Sequence, residues 1–196
     1  MVHGKSFGEI TQSSLNMAHC ALWEWDQFPH YGSLVAIDSA VHTTYGIITE
    51  ITTGPIDGTR APYPYKKTEE ELRRDHPHIF EFIRSTCTLF LLGYAQNTQN
   101  GPKNSHIEFI TPPTPPKIHA FVRPLLLPEI SSFFTSPAYI DRIFASNELA
   151  PIADDLLVTL LRQHNPPIDP LAERLMLIIG GDYCRTKRIL SHLDLS

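Results

Sequence analysis

The sequence predicts an α+β protein: a small N-terminal β-barrel with an inserted helical segment, then an all-helical C-terminal region. Two observations carry this. Short strand patterns separated by turns fill the first half, and near residue 135 the apolar spacing changes from period two to period 3.6. The division that follows is a barrel over residues 1–130, with its insertion at about 67–85, and a helical domain over 131–196.

In the first half, Gly32-Ser33-Leu34-Val35-Ala36-Ile37 leads one turn later into Tyr45-Gly46-Ile47-Ile48-Thr49-Glu50-Ile51. Alternation puts Tyr45, Ile47, Thr49 and Ile51 on one face of that strand, and Gly46, Ile48 and Glu50 on the other. The glycines, proline and Asp-Gly pair of Thr53–Gly58 predict the stop. Trp23-Glu24-Trp25-Asp26 alternates aromatic with acidic, as a strand with one buried and one wet face would. Glu24 and Asp26 could form a carboxylate pair, but a solvated strand face is the commoner use of such residues.

Residues 61–66 read as an extended link. Thr68 and Glu71 then have capping-box spacing, which predicts a helix start, and Pro77 predicts a kink or two short helices. Ile79, Phe82 and Ile83 supply an apolar stripe for the second piece, which would cover an open end or edge of the barrel. Thr86–Tyr94 is apolar on both faces, as a central strand is, and Ile118, Ala120 and Val122 alternate with His119, Phe121 and Arg123. Between them lie a polar loop, Asn97–Pro102, and the polyproline II pattern Thr111–Pro116. Beyond it, Ser136-Pro137 reads as N-cap and first helical residue. Helical stripes follow at Ile140/Ile143/Phe144, at Ile152 to Leu161, at Leu171/Leu175/Ile178 and at Ile189/Leu190/Leu193.

Composition narrows the function. A formal charge of -5 gives no support to a phosphate-backbone binder, so nucleic acid is the less expected partner. Three widely spaced cysteines are no disulfide framework, and no apolar stretch has the length to span a bilayer. The expected place is the cytoplasm, without a membrane partner.

No catalytic constellation is written in the chain, and no cofactor or metal is expected. Gly4-Lys5-Ser6 matches the end of a phosphate-binding loop but lacks the upstream strand and the following helix. His76 and His78 are two apart across a proline, which is not the spacing that puts two imidazoles on one helix face, and Asp75 beside them reads better as a cap. His19 and Cys20 point to opposite faces of a strand, and His119 alternates with apolar neighbours. Tyr63 and Tyr65, in a proline-stiffened loop, and Pro113 and Pro115 are the candidate interaction surface, since stiff aromatic and proline segments make contacts at low entropy cost.

Gly32–Ile37, Tyr45–Ile51, Leu92-Gly93-Tyr94 and the proline run leading into Ile118–Val122 together resemble the HAS barrel. That small β-barrel is shared by HerA-type DNA-translocating ATPases and ATP-synthase catalytic subunits. The chain also looks like short bacterial proteins in which such a barrel stands without an ATPase, with a stretch like Lys67–Arg74 in the middle. The resemblance covers roughly residues 7–125. It implies a collar-like role in assembly: self-association or docking to a protein partner, an ATPase among the candidates. The ATPase core is absent, so ATP turnover does not carry over. Two alternatives stay open: a hydrolase with a dispersed site using His76, His78 or His119, and an accessory nucleic-acid binder using a barrel face.

Overall fold

The computed structural model describes residues 6–59, 62–97, 106–167, 169–180 and 182–191. Six strands close into a barrel: β1 (Gly8–Ser13), β2 (Met17–Leu22), β3 (Leu34–Asp38), β4 (His42–Pro55), β5 (Ile83–Gln96) and β6 (Phe121–Pro124). Their order round the barrel is β1-β2-β5-β4-β3-β6, every pairing is antiparallel, and β6 returns to β1 through Gly8↔Val122. Between β4 and β5 lie α1 (Glu69–Asp75) and a 3-10 turn (Pro77–Phe82). After β6 come α2 (Leu127–Phe133), α3 (Ala138–Phe144), α4 (Ala153–His164), α5 (Asp169–Ile179) and α6 (Tyr183–Ser191).

The pleat sorts the apolar residues into two clusters. Ile10, Cys20, Val35, Ile48, Leu89 and Val122, one from each strand, fill the barrel interior. Leu34, Tyr45, Ile47, Phe90 and Leu92 point outward and are covered by Phe133, Ile140, Ile143 and Leu156 of the helices. The helical stripes and this face of the barrel therefore share one core, which is why short amphipathic helices persist here. Gly32 sets the approach: its φ of +76° belongs to the left-handed region, and a Cβ there would stand 2.9 Å from the Thr159 methyl on α4. Gln163 Nε2 closes the contact by donating to the Tyr31 carbonyl at 2.7 Å.

Bulges explain where strict alternation fails. The β4·β5 register slips between Ile48 and Glu50, so Ile51 packs with Ile48 in the interior rather than sharing a face with Tyr45 and Ile47. Trp23–Asp26 is not a strand: β2 ends at Leu22, and bends and a turn carry the two tryptophans outside the ladder. The strand expected from Ile118 starts only at Phe121, because His119 takes a φ of +65° that no strand accommodates. β4 runs through Gly54 to Pro55, past the expected stop, while β5 supplies partners as far as Ile83.

The insertion has the predicted capping box, with Thr68 accepting from the Glu71 amide at 3.3 Å and Glu71 from the Thr68 amide at 2.8 Å. Asp75 is not a cap. It closes α1 and pairs with Lys67 and Arg74, and hydrogen bonds from Arg74 and then Lys67 hold its carboxyl down at about 2. Ile79 and Phe82 form no buried stripe, since the segment is a 3-10 turn in which no residue is buried and Phe82 is exposed. Ser136 is not the N-cap of α3. Pro137 occupies that position and the helix begins at Ala138. α2 lies in the stretch that shows only a boundary in sequence. Of the polar loop, residues 98–102 lie outside the described residues, as do Gly4, Lys5 and Leu193.

Two histidines, each with a buried ring nitrogen, give the fold a pH dependence. His42 Nδ1 and His164 Nε2 are buried with no hydrogen-bond partner, and burial lowers both pKa values. In the unfolded chain these rings protonate near pH 6.5, so as pH falls through that range the unfolded state binds more protons and the fold loses stability. The expected loss is at most about 1.4 kcal/mol per histidine one pH unit below that point. Urea midpoints at pH 7.5 and 5.5 measure it, and a His42→Gln, His164→Gln double variant should show a flatter profile.

Candidate functional site

An aromatic groove of about 610 Å³ opens on the outer face of β1 and β2. The outward residues Glu9 and Thr11 of β1 and Ala21 of β2 form its floor, because alternation that sends Ile10 and Cys20 inward must send these out. Trp23 and Trp25 rise from the turn after β2. Trp23 meets Phe121 edge-on at 5.3 Å between ring centroids, and Trp25 stacks on Phe80 at 5.3 Å with the planes 18° apart. Ser85 of β5 donates to the Trp25 carbonyl at 2.5 Å and fixes the turn.

The insertion meets this wall through the Phe80 ring and through the Arg73 cation. The Arg73 guanidinium lies 4.9 Å from the Phe80 centroid and 5.7 Å from that of Trp25, and it donates to Asp26 and Glu69 at 2.9 Å each. On the opposite rim His119 stands on its left-handed backbone, with the amide donating to the Ile10 carbonyl at 2.8 Å and Nδ1 3.0 Å from Glu9 Oε2. A carboxylate beside an imidazole is part of a general-base arrangement. Here the ring is 79% exposed in an open groove, so water reaches it freely.

Arg84 completes the rim. It lies across the ladder from Gly54, so no side chain opposes it, and among the described residues its guanidinium has no hydrogen bond or ion pair. Glu9, the carboxylate lining the groove, is engaged by His119, and Asp26 by Arg73. The groove therefore combines aromatic walls with a guanidinium that no described side chain pairs.

The candidates from sequence fall in three places. Tyr63, Tyr65, His76 and His78 come together as a ladder of rings on the insertion, exposed except for the half-buried His76, with successive centroids 5.8, 5.4 and 6.1 Å apart. Pro113 and Pro115 are exposed on a strap pinned at both ends: Arg142 donates to Thr111 Oγ1 at 3.0 Å, and Ser13 Oγ to the Pro116 carbonyl at 2.6 Å. His119 sits at the groove with Glu9, while His19 points outward toward Thr88 and Cys20 inward toward Cys87. The Cys20 thiol is pushed far up by its hydrogen bond with Cys87 and by burial, so it is a packed hydrophobe rather than a nucleophile. Among the described residues no three His, Cys, Asp or Glu side chains gather where they could hold a metal ion. The groove itself escaped the sequence reading. Its signal was the Trp23-x-Trp25 pair, and the alternation of that pair with acids imitates a half-buried strand.

No protein-family model matches the chain, and no curated protein matches its sequence. Fold and groove define its class: an α+β protein on a closed six-stranded antiparallel barrel, one face packed under helices and the other opening an aromatic groove. No described helix is long and apolar enough to cross a membrane.

Proposed function

We propose that this chain is a non-enzymatic assembly module of the cytoplasm: a barrel with an inserted helical segment and a helical C-terminal region, docking proteins through its aromatic groove. One observation carries the reading. Trp23, Trp25 and Phe80 line one groove, with Phe121 against Trp23 beside it, instead of lying in either core, and Trp23 and Phe121 are 46% and 41% exposed. Contact energy at protein interfaces concentrates on Trp, Tyr and Arg in such pockets. The exposed rings of Tyr63 and Tyr65 extend the same kind of surface along the insertion. The likeness to HAS barrels, which serve as collars where ATPase subunits meet, supports the same class of role and makes an ATPase one candidate partner. A nucleic-acid role finds less support, because the rim segments 23–28 and 62–82 carry more acids than bases.

The test pairs light scattering over a concentration series with affinity capture from the native cell, for the unaltered chain and for a Trp23→Ser, Trp25→Ser variant. The expected result is self-association or a defined co-purifying protein with the unaltered chain, weakened at least tenfold in the variant. A strict monomer that captures nothing, or an association indifferent to both substitutions, would overturn the proposal.

A further inference from the structure

We propose, building on the docking reading above, that the groove takes an extended segment of a partner protein that brings a carboxylate to Arg84 and lays an adjacent proline against Trp23 and the Trp25–Phe80 stack. Three features of the groove select this chemistry. The first is charge. Glu9, the carboxylate lining the groove, lies 3.0 Å from His119 Nδ1, and Asp26 near it is paired with Arg73, while Arg84 is opposed across the ladder only by Gly54. A planar guanidinium left without an internal partner is suited to bind a carboxylate in bidentate fashion. One such cation beside an acidic rim accepts a single carboxylate and repels a polyanion, which separates this occupant from a nucleic acid.

The second feature is the shape of the chain that would fit. Pairing of β2 with β5 ends at Ala21↔Thr86, so β5 runs on through Ser85, Arg84 and Ile83 with β4 on one side and no strand on the other. Ser85 is covered by the Trp25 turn, and the strand end beyond it at Arg84 and Ile83, beside the groove, suits an extended segment rather than a helix. The third is the wall itself. Flat aromatic surfaces favour proline, which is already stiff and has no N–H to leave unsatisfied against the rings.

The chain's two tryptophans both line the groove, so intrinsic fluorescence reports its occupation with no label. The probe is an acetylated, amidated pentapeptide with a central glutamate, one proline next to it and alanine elsewhere, which keeps backbone N–H groups for the strand edge. Its control carries glutamine at the centre. The glutamate peptide should change tryptophan emission saturably and bind about tenfold tighter than the glutamine peptide, the difference worth a charge-assisted hydrogen-bonded pair. In an Arg84→Gln variant with unchanged circular dichroism that preference should vanish while weak binding of both peptides remains.

Equal affinity for the two peptides, or a preference that survives Arg84→Gln, would overturn the inference and leave the docking function standing. Saturable binding of a twelve-nucleotide oligothymidylate in place of the peptides would overturn it in favour of single-stranded nucleic acid. A shift of emission with protein concentration alone, which neither peptide reverses, would overturn it by making a second copy the occupant. Indifference to both peptides also overturns it, and the scattering and capture experiment then decides the docking function by itself.

Discussion

Arg123→Met should remove roughly 3–5 kcal/mol of folding stability, the cost of stranding a buried partner charge. Arg123 lies on β6 with its side chain 5% exposed, and Glu129, 8% exposed, lies on the first turn of α2. The guanidinium donates to both Glu129 oxygens at 2.7 and 2.8 Å, and to both Asp38 oxygens on β3 at 2.7 and 2.9 Å. Burial disfavours its charge, yet the Glu129 and Asp38 hydrogen bonds outweigh this and raise its pKa, so it stays cationic. Glu129 has a second duty, accepting the Leu126 amide at 2.7 Å at the start of α2. One side chain thus ties two barrel strands to the helical layer. Asp38 is half exposed and can be resolvated after the substitution; Glu129 cannot. Adding Glu129→Gln removes the stranded charge and keeps an acceptor for Leu126, so the double variant should recover about 2 kcal/mol. Urea unfolding of the single and double variants measures both values. A single-variant loss below about 1 kcal/mol would show that the pair contributes no more than a surface bridge.

Gly93→Ala should cost roughly 2–4 kcal/mol, the sum of overpacking and two endangered backbone bonds. A Cβ on Gly93 would stand 2.2 Å from the Glu108 carbonyl oxygen, a backbone atom that no rotamer change can clear. The chain passing there is bridged to β5 in both directions, Tyr94 amide to Glu108 carbonyl at 3.0 Å and Glu108 amide to Tyr94 carbonyl at 2.9 Å. Pushing it away would also shift Phe109, which packs edge-on against Phe133 in the helical core at 5.0 Å. Gly54→Ala is the control, since a Cβ there meets nothing within 4 Å, and it should change stability by less than about 0.5 kcal/mol. Equal effects of the two substitutions would deny the close approach.

Much of the α+β pattern could be read from local signals. Thr68 and Glu71 wrote the start of α1, and the helical period of Leu156, Leu157, Leu160 and Leu161 wrote the buried face of α4. The α2 start was also present, as Pro128 and Glu129 just inside a helix, but the run of leucines before it masked the change of period. Tyr63, Tyr65, His76 and His78 could be named as candidates one by one. Their assembly into one ladder depends on the turn at Pro77 and could not be counted from spacing.

By itself the sequence determined what is local: which runs alternate, which recur at helical spacing, and where capping and turn residues interrupt them. Those properties depend on neighbours within a few positions and survive in any tertiary context. Only the tertiary structure decided which outward face of the barrel the helices cover, because that choice is made by Gly32 meeting Thr159 and Gln163 meeting Tyr31 across long separations. It also decided the groove. Glu9, Trp23, Phe80, Arg84 and His119 come from four separate stretches of chain, and their charges and rings acquire a common purpose only where strand closure and one left-handed residue bring them to the same surface.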